Sequence, residues 1–222
     1  MKKIFAALLL VVVMFSFVTY AGAEDLTELT TEELLAMREE INEELAARYE
    51  PPVLEDGMTL IDIFPDKNFA IYIRDQVGAF SINDQVTQAD LDRVDNIFIN
   101  SESFGITSLE GLQYLTNLQY MTCITQRQLT EFPDCFDDLP NLRRLDLSQC
   151  SITELPPSIC NAPLLYDLDV GYTKLTKLPD DIGNMPSLKK LDISNTQIKE
   201  LPASIRLLQL EEFNRIGLDL GD

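Results

Sequence analysis

From Val94 onward the chain repeats on a beat of 23 or 24 residues. Leu118, Leu142, Leu165 and Leu188 open successive units, each continuing as L-x-x-L-x-L. The frame is clearest in Leu142-Arg-Arg-Leu145-Asp-Leu147, Leu165-Tyr-Asp-Leu168-Asp-Val170 and Leu188-Lys-Lys-Leu191-Asp-Ile193; Val94 to Ile99 and Leu118 to Cys123 are degenerate copies. A second marker keeps the same beat: Phe132-Pro133, Leu155-Pro156, Leu178-Pro179 and Leu201-Pro202, each followed by Phe136, Ile159, Ile182 or Ile205. A unit this short cannot bury its own leucines, so the units must stack to make a core, with caps at the ends. The L-x-L piece predicts a short strand. Its neighbours add in parallel at about 4.8 Å, with the leucines inward. Proline lacks an N–H and suits the return on the convex side, where no ladder bond is needed.

These columns resemble the leucine-rich-repeat family, with five units over about residues 94 to 210. The resemblance implies an α/β solenoid, an arc with parallel strands on its concave face. Asparagine, cysteine or threonine is typical of the family at the position held here by Cys150, Thr173 and Thr196. The Leu-Pro-x-x-Ile ending resembles the subtype shared by plant resistance proteins and some bacterial effectors. Glu211 to Ile216 reads as a decayed sixth strand forming a polar closing edge.

Residues 58–93 supply the N-terminal cap ahead of the repeat domain, 94–222. Asn68 to Arg74 predicts a helix burying Phe69, Ile73 and Val77. Val86-Thr-Gln-Ala-Asp-Leu91 predicts a second helical turn with Thr87 as N-cap and Asp90 at N3. This stretch resembles the helical cap that precedes bacterial internalin-type repeats.

Two segments precede the cap. Residues 1–23 have the three parts of a secretory leader: basic Lys2-Lys3, an apolar run from Ile4 to Val18, and Ala21-Gly-Ala23 before Glu24. The run spans roughly 23 Å as a helix, short of a bilayer core of about 30 Å. The expectation is cleavage after Ala23 and a secreted chain not inserted in the membrane. Residues 24–57 hold twelve acids and two arginines. Thr30 to Glu33 reads as a capping box, and Leu34, Met37, Ile41 and Leu45 form a narrow apolar stripe ended by Pro51-Pro52. A solvated acidic helix is the favoured reading, a partner-binding helix the sharper one.

The formal charge of −20 argues against nucleic acid as a partner. With no histidine, Ser-His-Asp, Cys-His and HExxH chemistries are excluded. No nucleophile–base pair or phosphate loop stands out, so the chain reads as a non-enzyme without cofactor. The outward positions of the strands form three columns. The first is Asn96, Tyr120, Arg144, Asp167 and Lys190; the second is Phe98, Thr122, Asp146, Asp169 and Asp192; the third is Asn100, Ile124, Ser148, Gly171 and Ser194. Phe98, Tyr120 and Ile124 gather at the N-terminal end and the charges at the other, the look of a protein-binding surface. Phe98 and Tyr120 are expected to share one apolar spot, with packing of Phe98 under the cap as the rival. The aspartate row invites a hard cation; the favoured reading is a lattice partly neutralised by Arg144 and Lys190, with no metal. The functional expectation is a secreted, mainly monomeric module binding a protein on its concave face, with a glycan as the other ligand class. The alternative is self-assembly through the acidic helix or the C-terminal edge. Cys123 and Cys150 should be buried thiols; Cys135 and Cys160, on adjacent returns, are either bridged or separate.

Overall fold

The computed structural model describes residues 52–219. The expected leader and the acidic stripe from Leu34 to Leu45 lie outside them. Three helices form the cap: α1 (Leu60–Ile63), α2 (Lys67–Val77) and α3 (Gln88–Leu91). Thr59 with Asp62, and Thr87 with Asp90, close capping boxes at α1 and α3. Asp66 caps α2, accepting from the N–H groups of Asn68 (2.8 Å) and Phe69 (3.0 Å); Gly78, at φ 76°, ends it in the left-handed region. Phe69 and Ile73 are buried as expected, Phe69 edge-on to Phe64 at 5.3 Å. Val77 is only half-buried, because it sits on the last turn of α2 where the chain leaves the core.

Asp66 also reaches beyond its helix. Its Oδ2 accepts from the Thr107 N–H (2.7 Å), the Thr107 hydroxyl (2.6 Å) and the Ser108 N–H (3.1 Å). One carboxylate thus starts α2 and ties the cap to the loop after the first strand. Among the described residues no helix is long and apolar enough to cross a membrane.

The repeats form a six-stranded sheet, all parallel and in sequence order: β1 (Asn96–Ile99), β2 (Tyr120–Cys123), β3 (Arg144–Asp146), β4 (Asp167–Asp169), β5 (Lys190–Asp192) and β6 (Glu212–Asn214). The decayed unit is therefore a strand. Its register follows the rest, with Glu212 beside Lys190 and Asn214 beside Asp192. Ile97, Met121, Leu145, Leu168 and Leu191 stack inward, all buried, in one apolar core shared with the cap. The returns are 3-10 turns at Phe136–Asp138, Pro157–Asn161, Ile182–Asn184 and Ala203–Leu207. Pro156 and Pro202 enter them extended, at φ −65° and −62°.

Two columns close each strand's exit. The Cys/Thr column begins one unit earlier than the repeat comparison placed it, at buried Gln126. Its amide holds the Ser101 and Ile124 carbonyls (2.7 and 3.0 Å) and accepts from the Ile106 N–H (3.0 Å). Further along, the Cys150 thiol donates to the Cys123 carbonyl (3.1 Å), Thr173 to Val170 (2.7 Å) and Thr196 to Ile193 (2.9 Å). The residue before each sits in the left-handed region: Thr125 (φ 61°), Gln149 (61°), Tyr172 (58°) and Asn195 (52°). Each donates its N–H to the next unit, at Ser148, Gly171, Ser194 and Ile216. That conformation costs a non-glycine roughly 1–2 kcal/mol, and the inter-unit bond holds it there.

Cys123 and Cys150 are buried thiols. No disulfide is present among the described residues, so the bridged alternative for Cys135 and Cys160 is not the one adopted. Cys160 lies near Asp181 of the following unit. Burial first, and then that charge, push its thiol up to about 12, which leaves it un-ionised and unreactive.

Candidate concave-face binding site

The register sets the expected first and second columns side by side. Asn96, Tyr120, Arg144, Asp167 and Lys190 are successive neighbours, as are Phe98, Thr122, Asp146, Asp169 and Asp192. Phe98 is 57% exposed and Tyr120 42%. Phe98 is therefore not packed under the cap. It sits opposite Thr122 and Tyr120 opposite Asn96, so the two rings are diagonal neighbours. Ile124 lies half-buried beyond them. The third column offers less surface than its sequence suggests: Gly171 and Ser194 are buried. A Cβ on Gly171 would stand 3.0 Å from Asp192 Oδ1 and 3.2 Å from Asp169 Oδ1, so the carboxylates already fill that space.

A residue absent from the sequence-based site also shapes this end. Tyr72 of α2 accepts the Phe98 N–H with its hydroxyl (2.7 Å) and meets the Phe104 ring edge-on at 6.0 Å. It closes the outer edge of β1 and holds Phe98 facing outward. Helical spacing on α2 places Tyr72 beside the buried Phe69 and Ile73, but nothing local foretells the bond 26 residues away.

The charged end is more ordered than a solvated lattice. Each aspartate of the second column folds its Oδ1 back on the chain. Asp146 accepts from the Ser148 N–H (3.1 Å), Asp169 from Gly171 (2.9 Å) and Asp192 from Ser194 (2.8 Å). These are Asx turns that end the strands. Among the described residues no cluster of three ligating side chains is arranged to hold a metal ion. Arg144 lies between two carboxylates, 3.8 Å from Asp146 and 3.6 Å from Asp167. Lys190 does not neutralise the aspartate row as expected; it pairs with Glu212, its register neighbour on β6. Asp192 accepts from the Asn214 amide (2.7 Å). Asp169 is left with acids on both sides. Burial, reinforced by Asp146, Asp192 and Asp167, raises its carboxyl to about 6 despite the Gly171 bond.

Comparison with known proteins agrees with this architecture. The N-terminal segment described as "Bacterial adhesion/invasion protein N terminal" matches residues 46–92, and the leucine-rich repeat matches 141–162 and 187–208. Internalin H of Listeria monocytogenes is 43% identical over 56 residues, 25% of this chain and 10% of that protein. The functional domain of InlJ from Listeria monocytogenes superposes with a TM-score of 0.60 at 24% identity, covering 77% of this chain and 36% of that one. An internalin-like protein of the same organism, lmo2027, gives 0.53 at 23% identity, covering 77% and 60%. The chain thus spans a tenth of the length of Internalin H and about a third of the InlJ domain. An internalin-type N-terminal segment running straight into a parallel-stranded arc of Leu-Pro repeats makes this chain a bacterial internalin-like leucine-rich-repeat protein.

Proposed function

We propose that the protein is a secreted, non-enzymatic module that binds another protein on the concave face of its repeat arc. The observation that carries this reading is the pair of outward aromatics, Phe98 and Tyr120, standing beside an ordered field of charge. Buried hydrophobes have nowhere else to go in a repeat unit. These two rings gain nothing from facing water, and their backbone positions are fixed by β1 and β2. Exposed aromatics held rigidly are the usual anchors of protein interfaces, while rim charges set rate and selectivity. Family membership supports a binding module in general terms. The lack of histidine and of any nucleophile–base pair in the sequence supports the absence of catalysis.

The test uses immobilised protein and extracts of cell-surface proteins, followed by affinity measurement on what is captured. Tyr120→Ala should weaken binding by about 2 kcal/mol, roughly thirtyfold, with little change in stability. Arg144→Glu should slow association and alter its salt dependence. Lys177→Glu, exposed on the convex return, should change neither. Loss of binding with Lys177→Glu while Tyr120→Ala binds normally would overturn the concave-face assignment.

Export is part of the same proposal. The basic start, apolar run and Ala-Gly-Ala of residues 2–23 support cleavage after Ala23. N-terminal sequencing of protein recovered from the medium should read Glu-Asp-Leu-Thr. Exported material that still begins at Met1 would refute cleavage.

A further inference from the structure

We propose that the open edge of β6 pairs antiparallel with the same strand of a second copy of this chain, joining two arcs into one continuous sheet. The two ends of the described sheet are treated differently. At β1 the outward N–H of Phe98 is taken by the Tyr72 hydroxyl, and the cap helices cover the end of the core. At β6, among the described residues, nothing comparable lies over the edge. Glu212 and Asn214 turn their backbone toward β5, with Glu212 N–H donating to Lys189 and Asn214 accepting from Ile193. Strand alternation therefore points both the N–H and the C=O of Phe213 away from the sheet. Apolar surface surrounds this strand: Phe213 is 37% exposed, Leu207 on the last return 66% and Ile216 just beyond the strand 74%. An unpaired edge with apolar side chains seeks another strand.

The order of residues makes β6 complementary to itself. Across a two-fold axis through Phe213, the Phe213 N–H meets the Phe213 carbonyl of the second copy, and reciprocally. That is the closely spaced hydrogen-bonded pair an antiparallel ladder requires. The same alignment sets Glu211 opposite Arg215 of the second copy on both sides of the axis, and Glu212 opposite Asn214. Arg215 already lies 5.9 Å from the Phe213 ring, so the two project on the same side of the strand, where the opposing Glu211 would arrive. Shifting the alignment by one residue would place Phe213 against Asn214 and lose the exchange of bonds at Phe213. The charges thus specify both the partner and the register. The proposal does not depend on what the concave face binds.

Sedimentation of the full 222-residue chain over a wide concentration range tests it. The expected result is a reversible monomer–dimer equilibrium. Phe213→Pro removes the outward N–H without touching the ladder to β5, a position where an edge strand tolerates proline. It should abolish the dimer, with the unfolding curve lowered only by the loss of the part-buried Phe213 ring. Glu211→Arg alone and Arg215→Glu alone should each weaken association about tenfold or more, because like charges then face each other across the axis. Mixing these two variants should restore it, since each altered position then faces an opposite charge. That arm stands even where the proline variant folds poorly. A chain that stays monomeric throughout overturns the proposal. So does a dimer indifferent to the charge reversals and their mixing, or one lost only with Ile41→Glu, which would place association in the acidic segment.

Discussion

Leu168→Ala is expected to destabilise the protein by about 2–5 kcal/mol, because the cavity it leaves cannot collapse. Leu168 is fully buried, with Leu145 and Leu191 at the same level of the neighbouring strands. Both neighbours are held in place by their own ladders, so neither moves in to fill the space. The residue beside it should behave in the opposite way. Asp169→Asn keeps an oxygen for the Gly171 N–H and removes the charge that three nearby aspartates oppose. The sign follows from the raised carboxyl. A group that titrates near 6 in the folded chain and near 3.8 when unfolded favours folding fully below about pH 4, and that contribution is lost as the pH rises through 6. Asp169→Asn should therefore gain on the order of 1 kcal/mol at neutral pH, after discounting the shift for solvent screening of a half-exposed group. The gain should vanish near pH 4. Urea unfolding of both variants at pH 7.5 and pH 4 checks this. Equal losses from both substitutions would contradict the strand register.

Asp66→Ala should cost about 3–4 kcal/mol, combining loss of a helix N-cap with loss of three bonds across to Thr107 and Ser108. The buried N–H of Phe69 and the Thr107 N–H and hydroxyl would lose their acceptor together. Burial by itself raises the Asp66 carboxyl, but bonds from Thr107, Phe69 and Ser108 outweigh it and hold the group below the ordinary carboxylate value. Its pH linkage is thus the reverse of that of Asp169. The stabilisation is fully present above about pH 4 and is lost as the pH falls through the depressed folded value. Wild type should weaken on acidification below pH 4 through this site, whereas Asp66→Ala should lack that component. Hydrogen exchange gives a local reading: α2 and the loop at Thr107 should lose protection together, while β3 to β5 retain theirs. Unchanged protection at Thr107 would show that the clamp does not couple cap to repeat.

How much of this was legible in the sequence depends on how far each contact reaches. The repeat period placed the inward leucine columns and both main concave columns, including Phe98, Tyr120 and the Asp146-Asp169-Asp192 row, though not buried Gln126. Capping signals placed Thr87 and Asp90. These features survive because they are local or strictly periodic. A leucine must recur at each strand to close the core, and a one-residue slip would expose all of them. The sequence reading failed where side chains choose partners. Lys190 had Asp167 and Glu212 as flanking acids in register, and it took Glu212. Nothing periodic marked that choice.

By itself, then, the sequence determined a parallel-stranded solenoid, its inward columns, its outward columns and the helical character of its cap. Hydrophobic spacing and turn chemistry suffice for those, since each is specified within a unit or by the beat between units. Only the tertiary structure decided that Asp66 clamps α2 to Thr107, that Tyr72 seals β1 and that Asp169 stands among acids while Arg144 and Lys190 pair with other carboxylates. It alone shows that four non-glycine residues accept left-handed backbone. It alone shows that Phe213 turns its peptide groups outward at the far edge. These outcomes turn on hydrogen-bond partners and charges brought together from distant or successive units, and their energies exist only once the units are stacked.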